Sequence, residues 1–347
     1  MDHNRSFGRS SKRYCGVDRT SSDAAVKNAK DPGVDALTSA RARARGSIGP
    51  AGPLRVAVMM ACHNRREQTL GCLRALRAAQ AEVSQTFDIF LLDDGSYDGT
   101  AEAVANEFAH VQLLHGDGSL FWNRGMHRVF EAALGRAYDF YLGLNDDTLL
   151  YPDALRRLFA CHEQVMRARG RSGIVVGTTR DATSGELTYG GQVRKKWWRP
   201  LTFQFVSPRD SPVECDTTTW NVVLIPDVVA RCLGNLEPSF AHAMGDTDYG
   251  LRAGRAGISN WVMPGFAGTC SDNSVEGTFL DAGTPLRERL KNMARPKGLP
   301  PKSWLLFCFR HAGPLWILFW AWPYLRVVLE SLFGRGGART RLADRRK

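Results

Sequence analysis

The feature that most constrains the fold is an apolar run over residues 138–144 that ends abruptly in polar residues. Asn145, Asp146 and Asp147 follow this run directly. A nearly continuous apolar run of this length is typical of a strand that is buried on both faces, as in a parallel sheet. Asn and Asp are also common turn residues, so a solvated loop is the competing interpretation. At the carboxyl end of a parallel strand, adjacent carboxylates instead indicate a ligand site, with a divalent cation as a candidate.

The segment around this run, residues 54–170, alternates between strand and helix patterns. This alternation predicts an α/β fold with a mostly parallel sheet and helices on both faces. Parallel strands bring their carboxyl ends to one edge of the sheet, and three of the predicted strands end in polar residues. We therefore expect three pairs of side chains to lie together: Asn64 with Arg65, Asp93 with Asp94, and Asp146 with Asp147.

Two further patterns complete the predicted domain. A glycine-rich loop over residues 116–125 precedes a helix that is expected to end near residue 136. The acidic motif of residues 245–252 is expected to open another helix. Extended segments are predicted at residues 172–178, 187–193, 201–206, 217–225 and 258–263. A basic turn with two tryptophans, residues 194–199, separates the second of these segments from the third.

Basic charge is concentrated at the two ends of the chain. Residues 1–53 carry ten Lys and Arg against five Asp, and residues 334–347 carry six against one, so each end has a charge of +5. Of the net charge of +11, about +1 remains for residues 54–333. We predict that both ends are disordered basic extensions, which serve either contact with an anionic surface such as a membrane or solubility alone. The near-neutral body argues against a nucleic-acid partner.

The eight cysteines and the amino terminus bear on the cellular compartment. No C-x-x-C pair is present, so a zinc site is not predicted. A chain of 347 residues does not need disulfides for stability, so we expect reduced thiols in the cytoplasm. The amino terminus lacks the apolar run of a signal peptide, which agrees with this expectation.

Residues 276–333 are predicted to form an apolar, helical C-terminal segment. Its longest run without a charge, residues 312–325, has 14 residues, whereas a spanning helix needs about 20. Trp and Tyr flanked by Arg310 and Arg326 are typical of the membrane interface. We therefore predict a peripheral contact with an anionic membrane, and the alternative is a helical pair that covers the main domain.

The order of five motifs resembles family 2 glycosyltransferases, which are inverting enzymes with a GT-A fold. The rhamnosyltransferase-like branch is the most similar, because Asn-Asp-Asp after a strand is usual there. The resemblance covers residues 54–275. Its motifs are Ala-Cys-His-Asn-Arg at 61–65, Asp-Asp-Gly-Ser at 93–96, the loop at 116–125, Asn-Asp-Asp at 145–147, and Gly-Asp-Thr-Asp-Tyr-Gly-Leu-Arg at 245–252.

The resemblance implies a role for each group at the strand ends. Asp147 is the expected ligand of Mg²⁺ or Mn²⁺, which would stabilise the departing diphosphate. Asp93 and Asp94 are expected at the base and ribose of a nucleotide-sugar donor, unless they form a simple Asp-Gly turn. Trp122 is expected at the sugar, with a core aromatic as the alternative. The donor-binding candidates are Asn64, Arg65, Asp93, Asp94, Ser96, Trp122, Arg124 and Asp146.

The general base is expected to be Asp246 or Asp248. Arg252 lies four residues after Asp248, so an ion pair explains that acid. Asp246 matches the base position of the family and is the stronger candidate, although a helix N-terminus weakens a carboxylate as a base. His242 is either an acceptor-side group or a surface histidine.

Two departures from the family pattern concern this site. The family usually has Glu where this chain has Gly245. Many relatives also carry a metal-binding His after the last strand, where this chain offers Cys270 or Asp272 as replacements.

Together these features predict an inverting, metal-dependent glycosyltransferase on the cytoplasmic face of a bacterial membrane. The expected donor is dTDP-rhamnose or a UDP-hexose, and the expected acceptor is a hydroxyl of a lipid-linked or cell-surface polysaccharide. One alternative is a sugar nucleotidyltransferase, which would place a glycine-rich loop directly after the first strand. The other is a non-catalytic protein that binds membrane or nucleic acid through its basic ends.

Overall fold

A computed structural model describes residues 52–272, 278–281 and 283–332 of the chain. The predictions for residues 1–51 and 334–347 fall outside these described residues.

The first half of the domain alternates strands and helices, as the sequence pattern predicts. The elements are β1 (Arg55–Cys62), α1 (Arg66–Gln80), β2 (Thr86–Asp93), α2 (Thr100–Glu107), β3 (Gln112–His115), α3 (Phe121–Leu134) and β4 (Phe140–Leu144).

The second half contains shorter strands and then three C-terminal helices. Its strands are β5 (Leu149–Leu150), β6 (Ile174–Arg180), β7 (Leu187–Tyr189), β8 (Gly191–Lys196), β9 (Arg199–Phe205), β10 (Val213–Cys215), β11 (Thr217–Thr218), β12 (Val222–Pro226) and β13 (Asn260–Thr269). Its helices are α4 (Ala154–Arg169), α5 (Asp227–Leu233), α6 (Gly245–Arg255), α7 (Leu286–Ala294), α8 (Pro301–His311) and α9 (Trp316–Leu332).

The main sheet is mostly parallel, which confirms the predicted fold class. Its strand order is β10-β13-β6-β12-β4-β1-β2-β3, with β5 paired to β13 and β7 paired to β6. Strands β1 to β4 run parallel to one another, and β12 is antiparallel to both β4 and β6. Consequently β6 and β13 point in the same direction as β4. The carboxyl ends of these strands therefore meet the amino end of β12 at one edge.

Helices cover both faces of the sheet because the strand side chains alternate between two cores. On β1, Val56 and Val58 belong to a core that also contains buried side chains of α1, α2 and α4. Ala57 and Met59 belong to the opposite core, with side chains of α3, α5 and α6. Strand β4 is buried along its whole length, as predicted. A second, three-stranded sheet is formed by β11, β8 and β9.

Three predicted boundaries are wrong for identifiable reasons. Helix α3 begins at Phe121, because a carboxylate oxygen of Asp94 accepts its backbone N–H, so half of the predicted glycine-rich loop is helical. The predicted strand at 217–225 is divided into β11 and β12, which lie in different sheets. Strand β13 continues to Thr269 through an irregular register after Val262, where Pro264 cannot donate to a ladder.

The C-terminal helices contact the domain unequally. In α8, Phe307, Cys308 and His311 are buried, which agrees with a helix that covers the domain. In α9, Val327 is the buried side chain, while large apolar residues such as Leu318 are exposed. None of the helices in the described segments combines the length and apolar character needed to cross a membrane.

Gly177 in β6 tests the close packing of the central sheet. A Cβ at this position would lie 2.6 Å from Ala267 Cβ and 3.1 Å from Val222 Cβ. We expect Gly177→Ala to lower the free energy of unfolding by about 1–3 kcal/mol through overpacking, measured by urea denaturation. The matched control is Gly135→Ala at the end of α3, where an added Cβ meets no atom within 4 Å. Equal effects of the two substitutions would contradict the packing argument.

Candidate functional site

The three strand-end pairs lie together at the sheet edge, and Arg65 connects two of them. One guanidinium nitrogen, NH1, is 3.2 Å from Asp146 Oδ1 and 2.7 Å from Asp147 Oδ2. The Asp146 side chain is 7% exposed and the Asp147 side chain is 27% exposed. Burial raises the pKa of Asp146 to about 7, although the charge of Arg65 opposes this rise. Asp147 is therefore the carboxylate that is more accessible to a ligand.

A second group of hydrogen bonds joins the ends of β1 and β2. The Asp93 carboxylate accepts hydrogen bonds from the backbone N–H and the hydroxyl of Ser96. Ser96 Oγ in turn accepts the backbone N–H of Asn64, which has a left-handed φ of 51°. The Asn64 side-chain oxygen accepts the N–H of Tyr97. These predicted donor-binding residues therefore hold each other in place.

Asp94 organises the loop that precedes α3. One of its carboxylate oxygens accepts the N–H of Gly118, and the other accepts the N–H of Phe121. Gly118 has a φ of 85°, which suits glycine in the left-handed region. The Asp-Asp-Gly motif is thus more than a simple turn, because its second acid fixes the start of a neighbouring helix.

Two of the donor-binding candidates, Trp122 and Arg124, lie on α3 but contact different parts of the structure. Trp122 donates its indole N–H to Asn145 Oδ1 at 2.8 Å and lies edge-on to Trp220. It is partly buried, so it joins the strand-end group and an aromatic cluster at once. Arg124 donates from Nε to the carbonyl of Pro238, on the loop before α6. The structure thus places Trp122 against the strand ends and Arg124 against that loop.

The fit of a divalent cation depends on the groups around Asp147. Cys270 Sγ lies 3.4 Å from Asp147 Oδ1, whereas Asp272 is exposed. Burial and the charge of Asp147 raise the pKa of the Cys270 thiol to about 12, and the thiol donates to the Asp147 carboxylate. Within residues 52–272, 278–281 and 283–332, no group of three or more His, Cys, Asp or Glu side chains is arranged to hold a metal ion. The donor set fits Mg²⁺ or Mn²⁺ only if substrate phosphates supply further oxygens, as is common for Mg²⁺.

Asp246 lies in the first turn of α6, partly exposed to solvent. Burial raises its pKa to about 6, while hydrogen bonds from Thr247 and from the Trp220 backbone oppose this rise. The Thr247 N–H donates to Asp246 Oδ1 at 2.7 Å. The carboxyl group is therefore a stronger base than an ordinary aspartate.

Asp248, two residues later, is fully buried, and its partners are two arginines and a histidine. Its carboxylate accepts Arg252 Nε at 2.8 Å, Arg310 NH1 at 3.3 Å and His311 Nε2 at 2.8 Å. Burial by itself would raise its pKa, but the hydrogen bond from His311 and the charge of Arg252 outweigh burial and lower the pKa. Arg310 also pairs with Glu237. This network ties α6 to α8 and accounts for Asp248 without a catalytic role.

The absence of a side chain at Gly245 has a structural reason. An added Cβ would overlap the side-chain oxygen of Asn123. The Asn123 amide is buried and donates to the carbonyls of Glu237 at 2.8 Å and Phe240 at 2.6 Å. Asn123 therefore occupies the space next to residue 245 and supports the loop that leads to α6.

The dipeptide Trp220-Asn221, which was not among the predicted site residues, connects Asp246 of α6 with Asn145 at the end of β4. The Trp220 backbone reaches Asp246, and the Asn221 carbonyl accepts the N–H of Asn145 at 3.2 Å. The dipeptide lies between β11 and β12, where no periodic pattern marks it.

A second group near the site involves His242. Burial, Lys297 and Arg65 lower the pKa of His242 to about 4, so its imidazole is neutral. It is partly buried rather than a surface histidine. The exposed Lys297, between α7 and α8, thus lies near His242, and its place in the sequence carries no signal of this.

Comparison with known proteins finds one family. Residues 57–222 match the sequence model described as Glycosyl transferase family 2. No curated protein matches the chain. Among solved structures, the chain is similar to a crystal structure of GalNAc-T7 with UDP, GalNAc and Mn²⁺, with a TM-score of 0.47 and 12% identity. That match covers 61% of this chain and 42% of the GalNAc-T7 chain, so less than half of the neighbour is represented.

The structural role of Asp248 in α6 can be tested by measuring the free energy of unfolding. Asp248→Ala is expected to lower the free energy of unfolding by about 3–5 kcal/mol, because it leaves the buried His311 and the partly buried Arg252 and Arg310 without their shared partner. The control is Glu163→Ala in α4, which removes an acid with the same four-residue spacing from an exposed Arg167. That change should cost less than about 1 kcal/mol. Similar costs by denaturant titration would show that the Asp248 network is not structural.

Proposed function

We propose that the chain is a glycosyltransferase with a GT-A fold, because its residues 57–222 match the Glycosyl transferase family 2 model, and from this premise we derive its mechanism and substrates. The enzyme transfers a sugar from a nucleotide-sugar donor to an acceptor hydroxyl with inversion at the sugar C1. The donor diphosphate lies at the ends of β1, β2 and β4, and the acceptor lies beside α6.

One observation carries this proposal, the link from the base candidate to the strand-end acids. Asp246 contacts the Trp220 backbone, and the adjacent Asn221 is hydrogen bonded to Asn145, next to Asp146 and Asp147. A base and a diphosphate-binding group on one sheet edge are what an in-line displacement at a sugar carbon requires. The nucleotidyltransferase alternative lacks support, because the segment after β1 contains no glycine.

The donor nucleotide is bound by the groups that join β1, β2 and α3. An ionised carboxylate has about four acceptor positions. Asp93 and Asp94 use some of these positions for Ser96, Gly118 and Phe121. The remaining positions accept hydrogen bonds from the base and ribose. The fixed hydrogen bonds orient the carboxylates before the donor arrives, which reduces the entropic cost of binding.

Asp147 is the residue that would hold the divalent cation, with donor phosphates supplying further oxygens. When bound, Mg²⁺ or Mn²⁺ neutralises the charge that develops on the leaving diphosphate. Arg65 contributes further positive charge, since its guanidinium forms bidentate hydrogen bonds with phosphate oxygens as readily as with carboxylates. Asp146, the more buried of the two acids, contacts the same guanidinium nitrogen as Asp147 and helps to keep Arg65 in position.

Asp246 accepts the proton of the acceptor hydroxyl as that oxygen attacks C1. Because burial raises its pKa to about 6, Asp246 is ionised at neutral pH and yet basic enough to take the proton. Asp248 acts on this step only through α6, by holding the helix against α8.

The identity of the substrates and the location are finer parts of the proposal. We assign the donor as dTDP-rhamnose or a UDP-hexose and the acceptor as a lipid-linked or cell-surface polysaccharide. Exposed apolar residues of α9, including Ile317, Leu318 and Trp322, support attachment to the cytoplasmic face of the membrane. The basic charge of residues 334–347 favours an anionic leaflet.

A thermal-shift screen of nucleotide sugars tests the class of enzyme. We expect a matching donor with Mn²⁺, at roughly 100 times its dissociation constant, to raise the melting temperature by about 5 °C. The shift should shrink without Mn²⁺ and in Asp147→Asn, because the cation neutralises the bound diphosphate. Stabilisation by nucleoside triphosphates alone would favour a nucleotidyltransferase instead.

The base assignment is tested by Asp246→Asn. Turnover should fall by roughly 10²- to 10⁴-fold, while the thermal shift with donor is retained, since the amide cannot accept the proton. In the unsubstituted enzyme, kcat/KM should rise with pH up to about 6 and then level off, because the base acts only when deprotonated. Asp210→Asn, on an exposed loop, is the matched control. Full turnover in Asp246→Asn would refute the assignment.

A further inference from the structure

The tip of the β8–β9 hairpin presents two tryptophans to solvent. Trp197 is 86% exposed and Trp198 is 52% exposed, with their ring centroids 5.8 Å apart in an edge-on arrangement. Lys196 Nζ lies 4.9 Å from the Trp198 ring centroid. Large aromatic side chains in such positions expose apolar surface that a partner would cover. We call residues 194–199 the hairpin tip.

The hairpin tip is also strongly basic. Four of its six residues are cationic, and residues 190–209 contain no Asp or Glu. The nearby Asp216 carboxylate accepts the backbone N–H of Arg194 at 2.6 Å. The combination of exposed indoles and clustered cations is therefore complementary to a partner that is negatively charged and partly apolar.

The hairpin tip lies beside the C-terminal helices. On β9, Leu201 and Phe203 pack against the cluster that contains Phe307 of α8. The charge of Arg194 contributes to lowering the pKa of His311, at the end of α8. From α8 and the following turn, Phe309 and Leu315 expose 63% and 59% of their surface. Helix α8, which carries exposed apolar side chains, therefore packs against the β9 strand of the hairpin.

We propose that the hairpin tip binds the headgroup region of an anionic lipid bilayer, as an anchor separate from α9. Trp at the headgroup depth and Lys or Arg at an anionic leaflet are each favourable there. The chain's own ends do not suit this surface, because residues 1–53 and 334–347 each carry a charge of +5. A soluble anionic glycan would satisfy the cations but would leave no apolar layer for the two indoles.

Two anchors would fix the orientation of the enzyme on the bilayer. The cluster between β9 and α8 includes Leu251 of α6 and Met244, which precedes α6. Docking through the hairpin tip and α9 therefore holds the helix that carries Asp246 at a defined height above the lipid surface. This consequence rests on the proposed function, whereas lipid binding by the hairpin tip does not.

The first test measures vesicle affinity of the full chain. We expect Lys195→Glu/Lys196→Glu to weaken co-sedimentation with vesicles of phosphatidylglycerol and phosphatidylcholine by roughly 30-fold or more, since each cation contributes about fivefold. The control is Arg156→Glu/Arg167→Glu, the same change of charge on exposed side chains of α4, which belongs to the opposite face of the sheet. Equal weakening by both variants would overturn the proposal in favour of net charge.

The second test locates the indoles. Lipids brominated on the acyl chain quench tryptophans that enter the bilayer, so the bound wild-type chain should lose more fluorescence than bound Trp197→Phe/Trp198→Phe. An equal quenched fraction would overturn the proposal even if vesicle binding persists. Ile317→Ser/Leu318→Ser tests α9 instead, and its failure to weaken binding would count against attachment through α9 alone.

A third measurement separates lipid from glycan. If Lys195→Glu/Lys196→Glu weakens binding to a soluble anionic polysaccharide and leaves vesicle affinity unchanged, the hairpin tip is a glycan surface and the lipid proposal is wrong. Melting temperatures of all variants should stay close to that of the wild type, because the substituted side chains are exposed.

Discussion

The site depends on one constraint: the acids buried at one edge of the sheet need a cation or hydrogen-bond donors beside them. Burying a carboxylate is costly unless a cation or hydrogen-bond donors accompany it. Arg65 supplies the cation for Asp146 and Asp147 and so joins the ends of β1 and β4. Asp93 and Asp94 use backbone N–H groups to join β2 to the next turn and to α3. The interactions that stabilise the sheet edge therefore also shape the surface that we assign to the donor.

The two acids of α6 show how environment separates roles that the sequence presents as equal. The hydrogen bond from His311 of α8 and the charge of Arg252 of α6 lower the pKa of Asp248, whereas burial raises the pKa of Asp246. Helix α8 is thus packed as part of the main domain, because it supplies two hydrogen-bond partners of Asp248. The C-terminal segment divides accordingly: α8 supports α6, and α9 presents apolar side chains to solvent.

Much of the fold was predictable because strand and helix patterns are local. The parallel order of β1, β2 and β4 followed from their alternation with helices, and it placed the three polar pairs correctly. The start of α3 was not predictable, because it depends on the carboxylate of Asp94, which follows β2 and lies 27 residues earlier. The loop before β12 was missed for a similar reason, since Trp220 and Asn221 belong to no periodic pattern and gain their place from contacts with α6 and β4.

The sequence alone determined the α/β architecture, the edge at which the acids meet and the two acids among which the base is sought. The architecture and the edge follow from periodicity, turn chemistry and the direction of parallel strands, all of which act over short stretches of chain. The two acids follow from the resemblance of residues 245–252 to a family motif. The tertiary structure decided how the acids are used. Asp248 is paired by His311, 63 residues away, and Cys270 lies next to Asp147 across 123 residues. Such pairings depend on packing between distant segments, and no local pattern in the chain records them.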